Sequence, residues 1–292
     1  MPELARGMPV AFSLWVFAVG AVVGSFLNVV IARVPKGESI VTPRSRCPRC
    51  ANPIAWYDNI PLISWLLLRA RCRKCGLPIS PRYPLVELVT GVLAVAVVRQ
   101  AGVTWTALGL FAFVAALVAL SYIDLDTWLL PHQITWPLLL VGLVSPVWNR
   151  RSSFIDAGIG AAAGFAAFAA IALFGEKVLK RETMGWGDVW LLAGIGAWLG
   201  WRALLPVVLL SAVQGAVVGS ILIAVRRQPE AAPPAEPAAR AETAPPVADE
   251  DWVPPKHAVP YGPFLALGAL EYLFFGDRLV SGWNSVLFRL LS

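Results

Sequence analysis

The apolar stretch at residues 103–123, VTWTALGLFAFVAALVALSYI, decides the fold, and it runs directly into Asp124. At about 1.5 Å of rise per residue, a helix of this length is roughly as long as the 30 Å hydrocarbon core of a bilayer is thick. The stretch therefore predicts a transmembrane helix that ends in a carboxylic acid.

Similar apolar runs occur along the whole chain, at 8–32, 85–98, 133–148, 154–174, 188–201, 203–225 and 261–275. The 292 residues are 58% hydrophobic and 14% charged, which excludes a water-soluble globule. We predict an all-α polytopic membrane protein with about eight transmembrane helices. Several runs are shorter than the roughly 20 residues that a span requires, notably 188–201, so the order of the helices is better determined than their ends.

The segment 33–84 is a basic loop with ten basic and two acidic residues. Basic loops stay on the cytoplasmic side of a membrane, so this loop is predicted to be cytoplasmic. Alternation of the spans then brings 124–132, 175–187 and the linker 228–260 to the same side. The net charge of +6 is explained by such loops, and we expect membrane lipid but no nucleic acid as a partner.

The chain is predicted to have five parts: a first transmembrane helix (1–32), the basic loop (33–84), a transmembrane core (85–227), a linker (228–260), and a last transmembrane helix with an amphipathic C-terminal tail (261–292). The linker consists largely of Pro and Ala, with few side chains large enough to be buried. Such a composition favours a disordered tether.

All four cysteines lie in the basic loop, as Cys47-x-x-Cys50 and Cys72-x-x-Cys75. Two such pairs resemble a zinc ribbon, in which four thiolates surround one tetrahedral ion. Two disulfides, which a reducing cytosol disfavours, or four unligated thiols are the alternatives. A zinc ion with four cysteine ligands has no open position for a substrate, so we expect it to be structural.

Two aspartates stand at predicted helix ends on the cytoplasmic side. Asp124 ends the run 103–123, and Asp188 follows Gly185-Trp186-Gly187 at the start of the run 188–201. Two carboxyls that meet cannot both ionise easily, and a shared proton makes one a base toward water and the other an acid toward a carbonyl oxygen. Alternatively, Asp188 is only a helix N-cap and Asp126 a solvated loop acid.

These residues together resemble the bacterial prepilin peptidases. The motifs that carry the resemblance cover nearly the whole chain: Gly24-Ser25-Phe26-Leu27-Asn28-Val29-Val30 with Arg33 and Pro35, the two cysteine pairs, Ile79-Ser80-Pro81-Arg82-Tyr83-Pro84-Leu85-Val86-Glu87, Ile123-Asp124-Leu125-Asp126 with Leu130-Pro131, and Gly185-Trp186-Gly187-Asp188.

The resemblance implies a membrane aspartic endopeptidase of the bacterial inner membrane. Such an enzyme removes the leader from type IV prepilins or type II secretion pseudopilins and then methylates the new N-terminus with S-adenosylmethionine. By motif, the catalytic residues would be Asp124 and Asp188, and the zinc ligands Cys47, Cys50, Cys72 and Cys75. No Gly-rich strand-turn-helix motif for the methyl donor is visible, so that activity follows from the resemblance alone.

Two positions depart from the family pattern, which usually has LPD and GDxK. This chain has His132 after Leu130-Pro131, and Trp190 where the lysine is expected. Neither departure removes a catalytic aspartate. A basic leader would be repelled by the basic loop, so we expect acids to receive it, namely Glu87, Asp126, Glu38 or Glu176.

Two hypotheses from other classes remain open on sequence grounds. An ion-coupled transporter would use its membrane acids to bind protons or cations, but it predicts acids near the bilayer midplane rather than at helix ends. A non-enzymatic pilus or secretion assembly factor would use the zinc ribbon as a docking module and the aspartates as helix caps.

Overall fold

The computed structural model describes residues 8–149, 152–180, 184–226 and 259–291. Within these residues the protein has α-helices and short helical turns but no strand, which confirms the all-α prediction. The α-helices are α1 (Val10–Arg33), α2 (Ile63–Leu67), α3 (Arg82–Ala101), α4 (Trp105–Thr127), α5 (His132–Val144), α6 (Phe154–Phe174), α7 (Trp186–Leu199), α8 (Trp201–Arg226) and α9 (Gly262–Leu291). Shorter turns are Val34–Lys36, Trp56–Asn59, Ser145–Val147 and Gly175–Leu179.

A helix lies at each of the eight apolar runs, and five of these helices are long and apolar enough to cross a membrane, namely α1, α3, α4, α6 and α8. The protein is therefore a multi-pass membrane protein. The helices α5 and α7 have only 13 and 14 residues, about 20 Å at 1.5 Å per residue. The count of eight spans stays a prediction, and most of the predicted linker lies outside the described residues.

Local interactions place both aspartates at helix ends. The side chain of Thr104 caps the start of α4 by accepting a hydrogen bond from the amide of Ala107. At the other end, Trp128 adopts a left-handed conformation (φ 57°), and its amide donates to the carbonyl of Asp124 at 2.9 Å. The carboxyl of Asp124 therefore lies in the last turn of α4. Asp188 lies in the first turn of α7.

The core surrounds α4 and α7. The helix α4 contacts α1, α3 and α9, and its Phe113 stacks on Trp198 of α7, with ring centroids 5.2 Å apart. Nearly every residue of α7 from Val189 to Trp198 is buried, because α5, α6, α8 and α9 surround this helix. The helices α6 and α7 approach so closely at Gly160 and Gly196 that a Cβ on either would collide with the other's carbonyl oxygen.

Candidate active site and metal site

The four cysteines of the basic loop meet at one point. Their sulfur atoms all lie within 4.8 Å of one another, and Sγ of Cys47 lies 4.0 Å from Sγ of Cys75. A tetrahedral zinc ion with Zn–S bonds of about 2.3 Å separates its sulfurs by about 3.8 Å. All four are free thiols in the structure, which does not favour the disulfide alternative. The donor set therefore fits a structural zinc ion.

The two cysteine pairs have the same local structure. The sequences CPRCANP (47–53) and CRKCGLP (72–78) each form a tight knuckle, with a positive φ at Ala51 in one and at Gly76 in the other. In each knuckle the backbone N–H of the first cysteine donates a hydrogen bond to a carbonyl five residues further on. Cys47 donates to Asn52 and Cys72 donates to Leu77, both at 2.9 Å. Backbone amides of Cys75 and Lys74 lower the pKa of Cys72 to about 7, which favours a thiolate ligand.

Two acids that we expected to bind a basic leader already have partners in the chain. Glu87 is only 8% exposed, and its Oε2 accepts the amide of Leu62 at 2.8 Å, which ties the basic loop to α3. Asp126 forms an ion pair of 2.6 Å with Arg82. The contact of Glu87 gives it a structural use, and the ion pair of Asp126 leaves its side chain 40% exposed.

The other two acids differ in their surroundings. Glu176 accepts a hydrogen bond from the indole nitrogen of Trp186 at 3.1 Å. Glu38 is exposed just beyond α1. A role for Glu38 or Glu176 in leader binding stays a prediction.

Asp124 and Asp188 lie at the same end of the helical bundle, where Leu130 packs against both Gly187 and Gly262. Asp124 is 5% exposed. Among the described residues, Oδ1 of Asp188 is buried and accepts no hydrogen bond. Oδ2 of Asp124 accepts the backbone amide of Gly262, the first residue of α9, at 3.0 Å. Three helices that are far apart in sequence therefore build this site.

The side chain of Leu130 separates two glycines of the site, Gly187 and Gly262, and we refer to it as the spacer. A Cβ on Gly187 would lie 2.7 Å from Cβ of Leu130, and a Cβ on Gly262 would lie 3.4 Å from Cδ1 of the same side chain. Leu130 thus packs between the glycine before Asp188 and the glycine that binds Asp124. A Cβ on Gly185 would make only an ordinary contact of 3.7 Å with Asp188. Crowding therefore requires glycine at 187 but not at 185.

Sequence reasoning missed the start of α9 as a component of this site. Tyr261 precedes Gly262, and its hydroxyl lies 2.6 Å from that of Ser211. The Gly262-Pro263 pair at the beginning of an apolar run was an available signal, because glycine and proline there mark a helix start with a specific backbone requirement.

The two departures from the family pattern belong to one aromatic cluster. His132 stacks on Trp136 with centroids 5.4 Å apart, and Trp136 meets Trp190 edge-on at 6.0 Å. Phe165 packs against Trp190 at 4.9 Å. His132 and Trp190 are therefore joined through Trp136, and this contact links the start of α5 to the turn of α7 that follows Asp188.

Two cavities adjoin α8, and neither fits a methyl donor at the aspartates. A cavity of about 310 Å³ beside Tyr261 is lined mainly by alanine, glycine, valine and phenylalanine, without a charged group. A cavity of about 600 Å³ contains Arg202, Tyr272 and Asp277, but it lies at the end of the bundle where α7 passes into α8, opposite to Asp188. We derive no step through S-adenosylmethionine from these cavities.

Comparisons with known proteins agree with this architecture. Residues 18–101 match the bacterial peptidase A24 N-terminal domain, and residues 111–220 match the type IV leader peptidase family. No solved structure matches the chain significantly.

Curated relatives cover nearly the full chain. A prepilin leader peptidase/N-methyltransferase of Myxococcus xanthus is 46% identical over 92% of this chain and 91% of its own. Proteins of the same name from Aeromonas hydrophila and Burkholderia pseudomallei are 39% and 38% identical, over 95% and 94% of this chain and 95% and 87% of their own. The chain belongs to the type IV leader peptidase family.

Membership in this family confirms the prediction of a membrane peptidase. It also removes the support for an ion-coupled transporter and for a non-enzymatic assembly factor, because the family consists of enzymes and the matched relatives are named as such.

Proposed function

We propose that the protein is an aspartic endopeptidase that cleaves the leader from type IV prepilins or type II secretion pseudopilins. Asp124 and Asp188 carry the reaction, and it takes place at the cytoplasmic face of the bacterial inner membrane. The observation that carries the proposal is that these two acids, contributed by α4 and α7, lie at one end of the bundle around Leu130, which packs against both Gly187 and Gly262.

The chemistry follows from two carboxyls that hold one proton. The ionised carboxylate removes a proton from water as the water attacks the scissile carbonyl carbon, and the protonated one donates to the carbonyl oxygen. Since an amide already donates to Oδ2 of Asp124, the other oxygen of Asp124 is the one left to act on water or substrate. The buried Oδ1 of Asp188 has no hydrogen-bond partner among the described residues, which leaves it available to hold the proton or to bind the attacking water.

The position of the site suits a substrate with an apolar helix in the bilayer and a polar leader outside it. Both aspartates lie at helix ends, and the basic loop at the same end contains the zinc-binding knuckles. Positive residues in that loop favour the cytoplasmic side. Four thiols around one point support a zinc ion that folds the loop and takes no part in hydrolysis.

We propose N-methylation of the new N-terminus as a second activity, with S-adenosylmethionine as the donor. The printed names of the relatives support it.

The test uses purified enzyme in lipid vesicles with a pilin precursor. Asp124→Asn and Asp188→Asn should each lower the rate of leader removal by at least about 100-fold, because each removes one partner of the acid–base pair. The matched control is Asp126→Asn, which alters an exposed acid at the same helix end and should change the rate only a few-fold. Normal cleavage by either active-site variant would refute the proposal.

A further inference from the structure

We infer that Gly262 is a positioning residue of the active site, whose peptide N–H holds the carboxyl of Asp124 in its reactive orientation. The inference extends the proposed function, since it takes Asp124 as one of the two catalytic acids. It makes the start of α9 a third structural component beside the ends of α4 and α7.

The donor is available because of its place in the helix. The first N–H groups of a helix have no partner within that helix, and Gly262 is the first residue of α9. Its N–H donates to Oδ2 of Asp124 at 3.0 Å, in buried surroundings. A carboxyl oxygen that accepts a buried amide loses much of its freedom to rotate, and this hydrogen bond determines which oxygen remains for the reaction.

Only glycine permits this approach. A Cβ at position 262 would lie 2.5 Å from Oδ2 and 3.2 Å from Cγ of Asp124, well inside contact distance. It would also lie 3.4 Å from Cδ1 of Leu130. A side chain at this position would therefore displace the carboxyl, the spacer Leu130 or the start of α9.

Tertiary contacts on both sides hold the donor in place. The hydroxyl of Tyr261 lies 2.6 Å from that of Ser211 on α8, and the ring of Tyr261 packs against Phe168 on α6. Further along α9, the side-chain amide of Gln100 on α3 donates to the carbonyl of Leu273 at 2.7 Å. Contacts with α3, α6 and α8 thus fix α9 against the bundle.

The decisive experiment removes the donor without adding an atom. Cell-free translation into lipid vesicles with glycolic acid at position 262 replaces the N–H by an ester oxygen. We expect kcat for a pilin precursor to fall about 10- to 100-fold, the range for a lost hydrogen bond to a charged group, while KM changes less than about threefold. The acidic limb of the kcat/KM profile should move to higher pH, because an amide donor favours the carboxylate anion.

Gly262→Ala is the second variant, and Gly268→Ala is its matched control. Gly268 lies on α9, as Gly262 does, but away from Asp124. A Cβ at position 268 would crowd the carbonyl of Val207 on α8 at 2.8 Å. We expect Gly262→Ala to lower kcat and shift the pH profile, whereas Gly268→Ala should lower thermal stability and leave the profile unchanged.

The outcomes separate this inference from the proposed function. A wild-type kcat and pH profile in the glycolic acid variant, with Asp124→Asn inactive, would overturn the role of Gly262 alone. Full activity of Asp124→Asn would instead refute the aspartic mechanism on which the inference depends.

Discussion

The four-cysteine cluster and the aspartate pair of this protein are built in opposite ways. The cluster takes its four thiols from one loop, and in each knuckle a hydrogen bond joins residues five positions apart. The aspartate site takes its parts from α4, α7 and α9, and its hydrogen bond joins residues 138 positions apart. A local site can be recognised from spacing, whereas a non-local site depends on how helices pack.

This difference also determines where each site is vulnerable. We expect the knuckles to tolerate changes elsewhere in the bundle, because their geometry is local. The surroundings of the two acids depend on close approaches of Gly187 and Gly262 to Leu130, and of Gly262 to Asp124, so one added methyl group there should disturb the proposed catalytic geometry directly.

Among the changes that leave both aspartates in place and test this comparison, Gly187→Ala should have the largest effect. The added Cβ would meet Leu130 at 2.7 Å, and overpacking of this kind costs about 1–3 kcal/mol. A change of about 1.4 kcal/mol in the reaction barrier alters the rate tenfold. We therefore expect leader removal to slow by about 10- to 100-fold. The matched control is Gly185→Ala, whose Cβ has only an ordinary contact at 3.7 Å and should change the rate little. Equal effects of the two changes would contradict the spacer role of Leu130.

A smaller effect on cleavage should follow from removing a metal ligand. Cys72→Ser should reduce bound zinc to background and make the basic loop sensitive to protease, since metal binding folds such a loop. Cleavage should remain at about a tenth of the wild-type rate or more, because a site with four cysteines has no catalytic position. Arg49→Ser, a change in the other knuckle that keeps all four ligands, is the control. Complete loss of cleavage with zinc still bound would show that the thiol acts in catalysis.

The smallest effect concerns the aromatic cluster between α5 and α7. A double-mutant cycle of Trp136→Leu and Trp190→Leu should give a coupling of about 0.5–1.5 kcal/mol in the free energy of unfolding in mixed micelles, the usual value for an aromatic pair. Control cycles combine each tryptophan change with Phe154→Leu, at an exposed position on α6. In these cycles the changes in the free energy of unfolding should be additive. Additivity between Trp136 and Trp190 would mean that Trp136 does not couple Trp190 energetically to the start of α5.

Several sequence predictions concerned single elements and carried over to the structure directly. The apolar run 103–123 forms most of α4, and Asp124 occupies the last turn of that helix because capping at Thr104 and the left-handed Trp128 define where α4 lies. Asp188 lies in the first turn of α7. The shared environment of Asp124 and Asp188 followed from alternation of the spans, which places both at one end of the bundle.

Other features could not be read from the pattern. Glu87 was expected to bind a basic leader, but it accepts the amide of Leu62, because the basic loop folds back onto α3. The departures at His132 and Trp190 seemed separate in sequence, yet Trp136 joins them. Each of these contacts pairs residues on different elements, and no periodicity within one element encodes such a pair.

The sequence by itself determined the membrane class, the helical fold and the types of chemical group present, because hydrophobicity, helix length and cysteine spacing are properties of single segments. Only the tertiary structure decided that the amide of Gly262 holds Asp124 and that Leu130 separates the two glycines beside the acids. These features depend on atom-to-atom approaches between helices, which close packing sets to within a few tenths of an ångström.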